Sequence, residues 1–198
     1  MLSRLLSCAV AALLAAVPLP ARAQSPADSA RPAVDPADVR FMSGMIHHHA
    51  QAILMAGWAP SHGASSSIRT LCARITISQN DEIALMQHWL TARHQPAPAV
   101  DTMHAMMPEM DPGAMMPGML SAQQLAELDA ARGTDFDRLF LTFMIQHHSG
   151  AITMVNELFA SGAGEDPSVF KLASGIYADQ TTEIARMQKM LAAIILAP

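Results

Sequence analysis

The sequence predicts an all-α fold: an antiparallel four-helix bundle made of two repeated helical hairpins, joined by a methionine-rich linker and one short helix. Three observations predict it. First, apolar residues recur at spacings of three and four along four segments, as in Phe41, Met45, His48, Ala52 and Met55. That spacing lines one face of a helix, and no segment alternates with strand period. Second, the chain repeats itself. Met45-Ile46-His47-His48-His49 with Met55 returns as Met144-Ile145-Gln146-His147-His148 with Met154. Gln79-x-x-Glu82-Ile83-x-x-Met86-Gln87 returns as Gln180-x-x-Glu183-Ile184-x-x-Met187-Gln188. Third, the turns within each half are short, which makes each half an antiparallel hairpin.

The elements follow in order. Residues 1–23 carry Arg4, an apolar run from Leu5 to Leu19, and Pro20-Ala21-Arg22-Ala23, an Ala-x-Ala pattern. This is the form of a secretory signal cleaved after Ala23, which sets the expected localisation as periplasmic or secreted. Its apolar run falls short of the ~20 residues that a spanning helix needs. Residues 24–37, rich in Pro, Ala, Ser and Asp, are expected to be a disordered leader, and residues 38–198 a single bundle domain. Asp35 or Asp38 can cap the first helix, which runs to about Trp58 until Pro60 and Gly63 break it. Ser65 to Ser67 can cap the second, whose stripe is Ile68, Leu71, Ile75, Gln79, Glu82/Ile83, Met86 and Leu90, fading near His94. Residues 95–131 form the linker, expected to bridge the hairpins across one end of the bundle. Its prolines and glycines exclude a long helix before Ser121, where a short helix opens with Gln124 completing a capping box. The second hairpin spans 134–197. Its first helix starts near Thr134 and ends before Gly162; its second has Asp166 as cap and Pro167 in the first turn.

Composition narrows the function. The chain has 198 residues, is 51% apolar and carries a net charge of −5, which fits one compact domain. Loss of the signal removes Arg4 and Arg22, leaving ten basic against seventeen acidic side chains. Such a protein is a poor nucleic-acid binder, and no membrane association is expected after cleavage. Cys8 would leave with the signal, so Cys72 has no intrachain disulfide partner and is read as a small buried hydrophobe.

The histidines carry the chemistry. Adjacent helical residues point about 100° apart. His48 and His147 therefore align with the apolar stripe, and His49 and His148 sit beside them toward the adjoining helix. His47 has Gln146 as its counterpart and is read as a surface residue. Burying imidazole without a partner is costly, and two pairs at matching positions point to metal ligands. Glu82 and Glu183 can be ligands, acceptors for an imidazole N–H, or surface residues. Rise per residue places His48 level with about Ile75 and His147 with about Gln180, which sets the glutamates one to two turns away and leaves Gln79 and Gln180 as outer groups. The stripe methionines, Met55 and Met154 among them, are either soft core filler or thioether donors. The linker has Met103, His104, Met106, Met107, Met110, Met115, Met116 and Met119, on a segment too broken to need filler. Thioether selects Cu(I) or Ag(I), and imidazole suits Cu(II), zinc or nickel. A carboxylate-bridged di-iron site is excluded, because no Glu-x-x-His occurs. No Gly-x-Ser-x-Gly elbow occurs either, and no catalytic residue is expected.

Met144-Ile145-Gln146-His147-His148-Ser149-Gly150-Ala151-Ile152-Thr153-Met154, preceded by Phe136-Asp137-Arg138-Leu139-Phe140, resembles the signature of the domain-of-unknown-function 305 (DUF305) family. The His48-His49 to Met55 stretch, the two Gln-x-x-Glu-Ile-x-x-Met units and Met116-Pro117-Gly118-Met119 fit it too. The resemblance implies a ferritin-like helical bundle, an extracytoplasmic bacterial setting and, from CopM-like members, copper binding in support of copper tolerance. It implies metal-associated positions at His48, His49, Met55, His147, His148 and Met154. The resulting expectation is an exported protein that captures or buffers copper, with silver or zinc as other cargo and a periplasmic copper-handling protein as a further partner. The alternative is a structural or adaptor bundle whose histidines form a buried network without a metal.

Overall fold

The computed structural model describes residues 33–100 and 115–196. The expected signal peptide, most of the leader, and Met103, His104, Met106, Met107 and Met110 lie outside the described residues. The described chain has five helices: α1 (Pro36–Gly57), α2 (Ser66–Ala92), α3 (Ala122–Ala130), α4 (Gly133–Ala160) and α5 (Pro167–Ile195). Among the described residues there is no strand, and no helix is long and apolar enough to cross a membrane.

The caps are those that local chemistry dictates. Asp35, not Asp38, starts α1, its side chain accepting from the Ala37 N–H. Ser65 accepts from Ile68 N, Ser121 and Gln124 make the reciprocal capping box, and Asp166 accepts from Ser168 N and Val169 N. Asp38 does different work. Its buried carboxylate accepts the Gly164 N–H at 2.8 Å, from the α4–α5 turn. Asp137, its counterpart in the repeat, accepts the Ser65 N–H at 3.2 Å, from the α1–α2 turn. Each half's first helix thus holds the other half's turn.

α1 packs on α2, α4 on α5, and α1 crosses directly against α4. One apolar half of the core takes Phe41, Met45, Met86, Leu90, Val155 and Ile176. The other takes Met55, Ile68, Leu71, Phe136, Phe140 and Met187, together with Leu125 and Leu128 of α3. The sharing of residues fixes the directions: α1 and α5 run one way, α2 and α4 the other. Between the two halves every long helix contributes polar side chains. His48, His49, Gln79, Glu82, His147, His148 and Gln180 are all buried there. The bundle is two apolar cores separated by one polar layer.

The linker's described portion does not cross the end of the bundle, as its composition suggested. α2 ends beside one apolar half and α4 begins beside the other, so the chain must return along the bundle's length. Residues 115–121 do so against the side of α1 and α4. Gln51 Nε2 donates to Leu120 O at 3.1 Å, and Leu120 N donates to Gln51 Oε1 at 2.7 Å. Met119 is buried against Ala50.

Candidate metal centre

The polar layer brings four imidazoles into a row. His48 and His147 meet where α1 crosses α4, their ring centroids 3.8 Å apart and planes at 39°. His49 and His148 flank them at 6.4 and 6.2 Å. The ~100° step between adjacent helical residues accounts for this: one ring of each pair meets the opposite hairpin and the other turns to its own hairpin partner. His49 Nε2 lies 2.7 Å from Glu82 Oε2, and His148 Nε2 lies 2.7 Å from Glu183 Oε2.

Those two contacts correct the depth estimate, which set the glutamates a turn or more away. Backbone bonds Ser61 N to Trp58 O and His62 N to Trp58 O carry helical geometry past the end of α1, so the reversal comes later. Helical side chains also lean toward their own N-terminus. In an antiparallel pair His49 and Glu82 lean toward one another, and the same holds for His148 and Glu183. Gln79 and Gln180 lie in the layer as expected, but with both amide atoms of Gln79 and Oε1 of Gln180 lacking a partner.

The hydrogen bonds fix the protons. A carboxylate or carbonyl oxygen only accepts, so a ring nitrogen facing one must donate. His49 and His148 donate from Nε2 to the glutamates, and His48 donates from Nε2 to Pro117 O at 3.0 Å. The lone pairs of these three rings are therefore on Nδ1. Each Nδ1 is buried without a partner, as are both nitrogens of His147. Burial, then the neighbouring His49, pushes His48 down to about 3. Burial, then His48, holds His147 well below the usual imidazole range. Burial also lowers His148, against the opposing pull of Glu183. These rings are neutral at pH 7 and keep their lone pairs.

Orphaned buried polar atoms cost about 1–3 kcal/mol each, and native proteins tolerate few of them. A layer with this many fits a ligand that accepts lone pairs. The carboxylate–imidazole arrangement is the one that orients metal-binding histidines, with the glutamates outside the ligand shell. Among the described residues no three His, Cys, Asp or Glu side chains stand close enough to hold one ion together. Thioethers are the remaining donors.

Met55 and Met154 do not join the imidazoles directly. Each is seven residues from its histidine, about 10 Å along the helix, and they lie in opposite apolar halves. Buried methionines lie on each side of the layer: Met42, Met45, Met86 and Met154 on one, Met55, Met144 and Met187 on the other. Met154 has a further neighbour. Its Cε and the Met116 Sδ both lie within 3.5 Å of where a Cβ on Gly44 would stand. Met116 and Met154 line an open groove with Arg40, Phe41, Pro117 and Glu157. Met115 is half-buried beside Met119.

His47 departs from its reading as a surface residue. It is half-buried, and its Nδ1 is covered and without a partner. The returning strand of linker lies along this side of α1, against Gly44, Ala50 and Gln51. Asp179 escaped the sequence reading altogether. Burial, then Glu82 and Glu183, raises its carboxyl above the ordinary value, so three carboxylates share the surface where α2 meets α5. Arg74, Ser78, Thr182 and Arg186 line the groove there.

A family model for DUF305, a domain of unknown function, matches residues 38–191. A Streptomyces coelicolor protein described as a candidate secreted DUF305 protein superposes with a TM-score of 0.69 at 26% identity, covering 82% of this chain and 96% of its own. A DUF305 fragment from Deinococcus radiodurans superposes at 0.70 with 30% identity, covering 81% and 99%. CopM in its Cu(II)-bound form superposes at 0.64 with 30% identity, covering 78% and 95%. CopM has also been solved in Cu(I)-bound, Ag-bound and apo forms. No curated protein matches.

Proposed function

The chain belongs to the DUF305 family, and on that premise we propose that it is an exported, non-catalytic protein that captures or buffers copper. The observation behind the reading is the row of four imidazoles whose Nδ1 atoms are buried and unpartnered, with burial holding His48, His147 and His148 below the usual imidazole range. The similarity to CopM, solved with Cu(I), Cu(II) and Ag, supports copper or silver as the cargo. Imidazole is a borderline donor and suits Cu(II) or zinc; thioether is soft and suits Cu(I) or Ag(I). In this reading His48, His49, His147 and His148 offer nitrogen donors. Glu82 and Glu183 orient two of the rings and raise their basicity. Met116 and Met154, at the open groove, offer sulfur to a soft ion arriving from solvent. Met103, Met106, Met107, Met110, Met115 and Met119 are further thioethers of the linker sequence, and His104 a further imidazole. Copper bound in this way lowers the free ion and supports metal tolerance or transfer to a copper-handling partner.

The test is titration of the purified chain beginning at Gln24 with Cu(I) and Cu(II) against a competing chelator. Cu(II) affinity should fall by at least tenfold when His48, His49, His147 and His148 are all replaced. Equal affinity in that variant would remove the reading. One observation favours a second reading, a structural bundle with a buried histidine network: His49 and His148 already have carboxylate partners. Thermal melting separates the two, because a ligand of the native state raises the midpoint by mass action. A midpoint unmoved by copper, silver, zinc and nickel would favour the structural bundle.

A further inference from the structure

We propose that the Met116-Pro117-Gly118-Met119 strap is a positioning element for His48, holding its ring as the Nε2–H tautomer so that Nδ1 is the nitrogen offered to a metal. The inference rests on the metal-binding reading and adds to it a role for a motif outside the helices. Pro117 O stands 3.0 Å from His48 Nε2 and can only accept. The strap reaches that place through a fit that tolerates no side chain. Gly118 has φ +75°, and a Cβ on it would lie 2.7 Å from Gln146 O and Gly150 Cα. A Cβ on Gly150 would lie 2.0 Å from Pro117 O. The strap is clamped on the other side by Gln51, through both of its bonds to Leu120. Gln146 Nε2 adds a long contact to Gly118 O at 3.4 Å, and Gly44 leaves room for the Met116 sulfur.

The repeat shows that these are departures from the common pattern. By position, Gln51 on α1 corresponds to Gly150 on α4, Gly44 to Phe143, and His47 to Gln146. Where the strap needs a hook one helix supplies it, and where it needs space the other has a glycine. The strap reaches one ring of the stacked pair. His48 gains an acceptor and a fixed tautomer, whereas His147 has none on either nitrogen.

The experiment is a two-bond proton–nitrogen correlation on the metal-free, 15N-labelled full chain, which reads which ring nitrogen carries the proton. Wild-type His48 should be protonated at Nε2 alone. Gln51→Ala releases the strap without adding bulk, and Gly150→Ala wedges it away. Both should turn His48 into a mixture of tautomers and move the Gly118 amide signal. His49 and His148, held by Glu82 and Glu183, should keep theirs, which separates lost positioning from general loosening. Should Gly150→Ala fail to fold, Gln51→Ala decides alone. Cu(II) should bind roughly 10- to 100-fold more weakly to Gln51→Ala than to the wild type. A wild-type His48 protonated at Nδ1, or a single unchanged tautomer once the Gly118 amide has moved, overturns the proposal. Absence of Ag(I) and copper binding with the tautomers as stated overturns the metal reading instead.

Discussion

Acidification should unfold the metal-free protein well above the pH at which carboxylates protonate. Burial pushes His48 to about 3 and holds His147 and His148 below the ordinary 6.5. In the unfolded chain all three titrate near ~6.5. Below that pH the unfolded state binds protons that the native state refuses. Stability then rises with pH and falls as pH drops, over a window from about 6.5 down to about 3 for His48. At 1.36 kcal/mol per pKa unit, a histidine protonated only when unfolded costs about 2 kcal/mol between about pH 7 and pH 5. His48 and His147 together total on the order of 4 kcal/mol, against a typical domain stability of ~5–15 kcal/mol. His148 contributes least, since Glu183 pulls its pKa back up. Asp38 acts in the other direction: burial raises its carboxyl above 3.8, so its stabilisation is complete only below that value and is lost as pH rises. It softens the acid limb without reversing it. Urea unfolding of the apo protein, followed by circular dichroism at several pH values, measures the slope. The midpoint should fall steeply from pH 7 to pH 5, and His147→Leu should flatten the fall by up to about half. A midpoint that holds or rises on acidification refutes the claim that the layer is neutral and dry.

Three further outcomes are expected. Glu82→Ala and Glu183→Ala each leave a buried imidazole N–H without an acceptor and should cost about 1–3 kcal/mol; a double-mutant cycle of Glu82 with His49 showing no coupling would contradict the pairing. Leucine at Met103, Met106, Met107, Met110, Met115, Met116 and Met119 should weaken Ag(I) binding and spare Cu(II), while replacing His48, His49, His147 and His148 should do the reverse, because thioether and imidazole differ in softness; parallel loss of both metals in both variants would show one shared site. Cys72 is buried, and burial, then Asp137, pushes its thiol up to about 12; alkylation at pH 8 should proceed only on unfolding, and rapid labelling of the native protein would be evidence against that burial.

Periodicity and capping chemistry carried most of the fold. The stripes of Phe41 to Met55 and Phe136 to Met154 predict α1 and α4, and Ser121 with Gln124 predicts the start of the short helix α3 from local bonding alone. Burial of His48 and His147 followed from their place on those stripes. The pairing of His49 with Glu82 did not, because it depends on where the turn after Gly57 reverses and on the lean of side chains in antiparallel helices. Rise per residue captures neither. The course of the linker was illegible for a similar reason. It is set by contacts between residues far apart in the chain, Gly118 with Gly150 and Leu120 with Gln51. A trace of it was present, though, in the glycines that interrupt the repeat.

The repeat and the strap together explain why the two halves are not structural copies. Duplication supplies matched parts: two imidazole pairs, two glutamates, two sets of flanking methionines and two carboxylates, Asp38 and Asp137, that lock the hairpins together. A single connection between the halves cannot obey the same symmetry. It leaves α2 at one end of the bundle and enters α4 at the other, and residues 115–121 lie along the side of α1 and α4. There its backbone carbonyl meets His48 and leaves the stacked His147 without a partner. Its Met116 joins Met154 of the second half at Gly44, and the equivalent place beside Met55 holds Phe143 instead of a glycine. The asymmetry is therefore a consequence of connectivity. It leaves His48 with a fixed acceptor near the Met116–Met154 pair, and His147 buried against it with none, so the two central rings are chemically different.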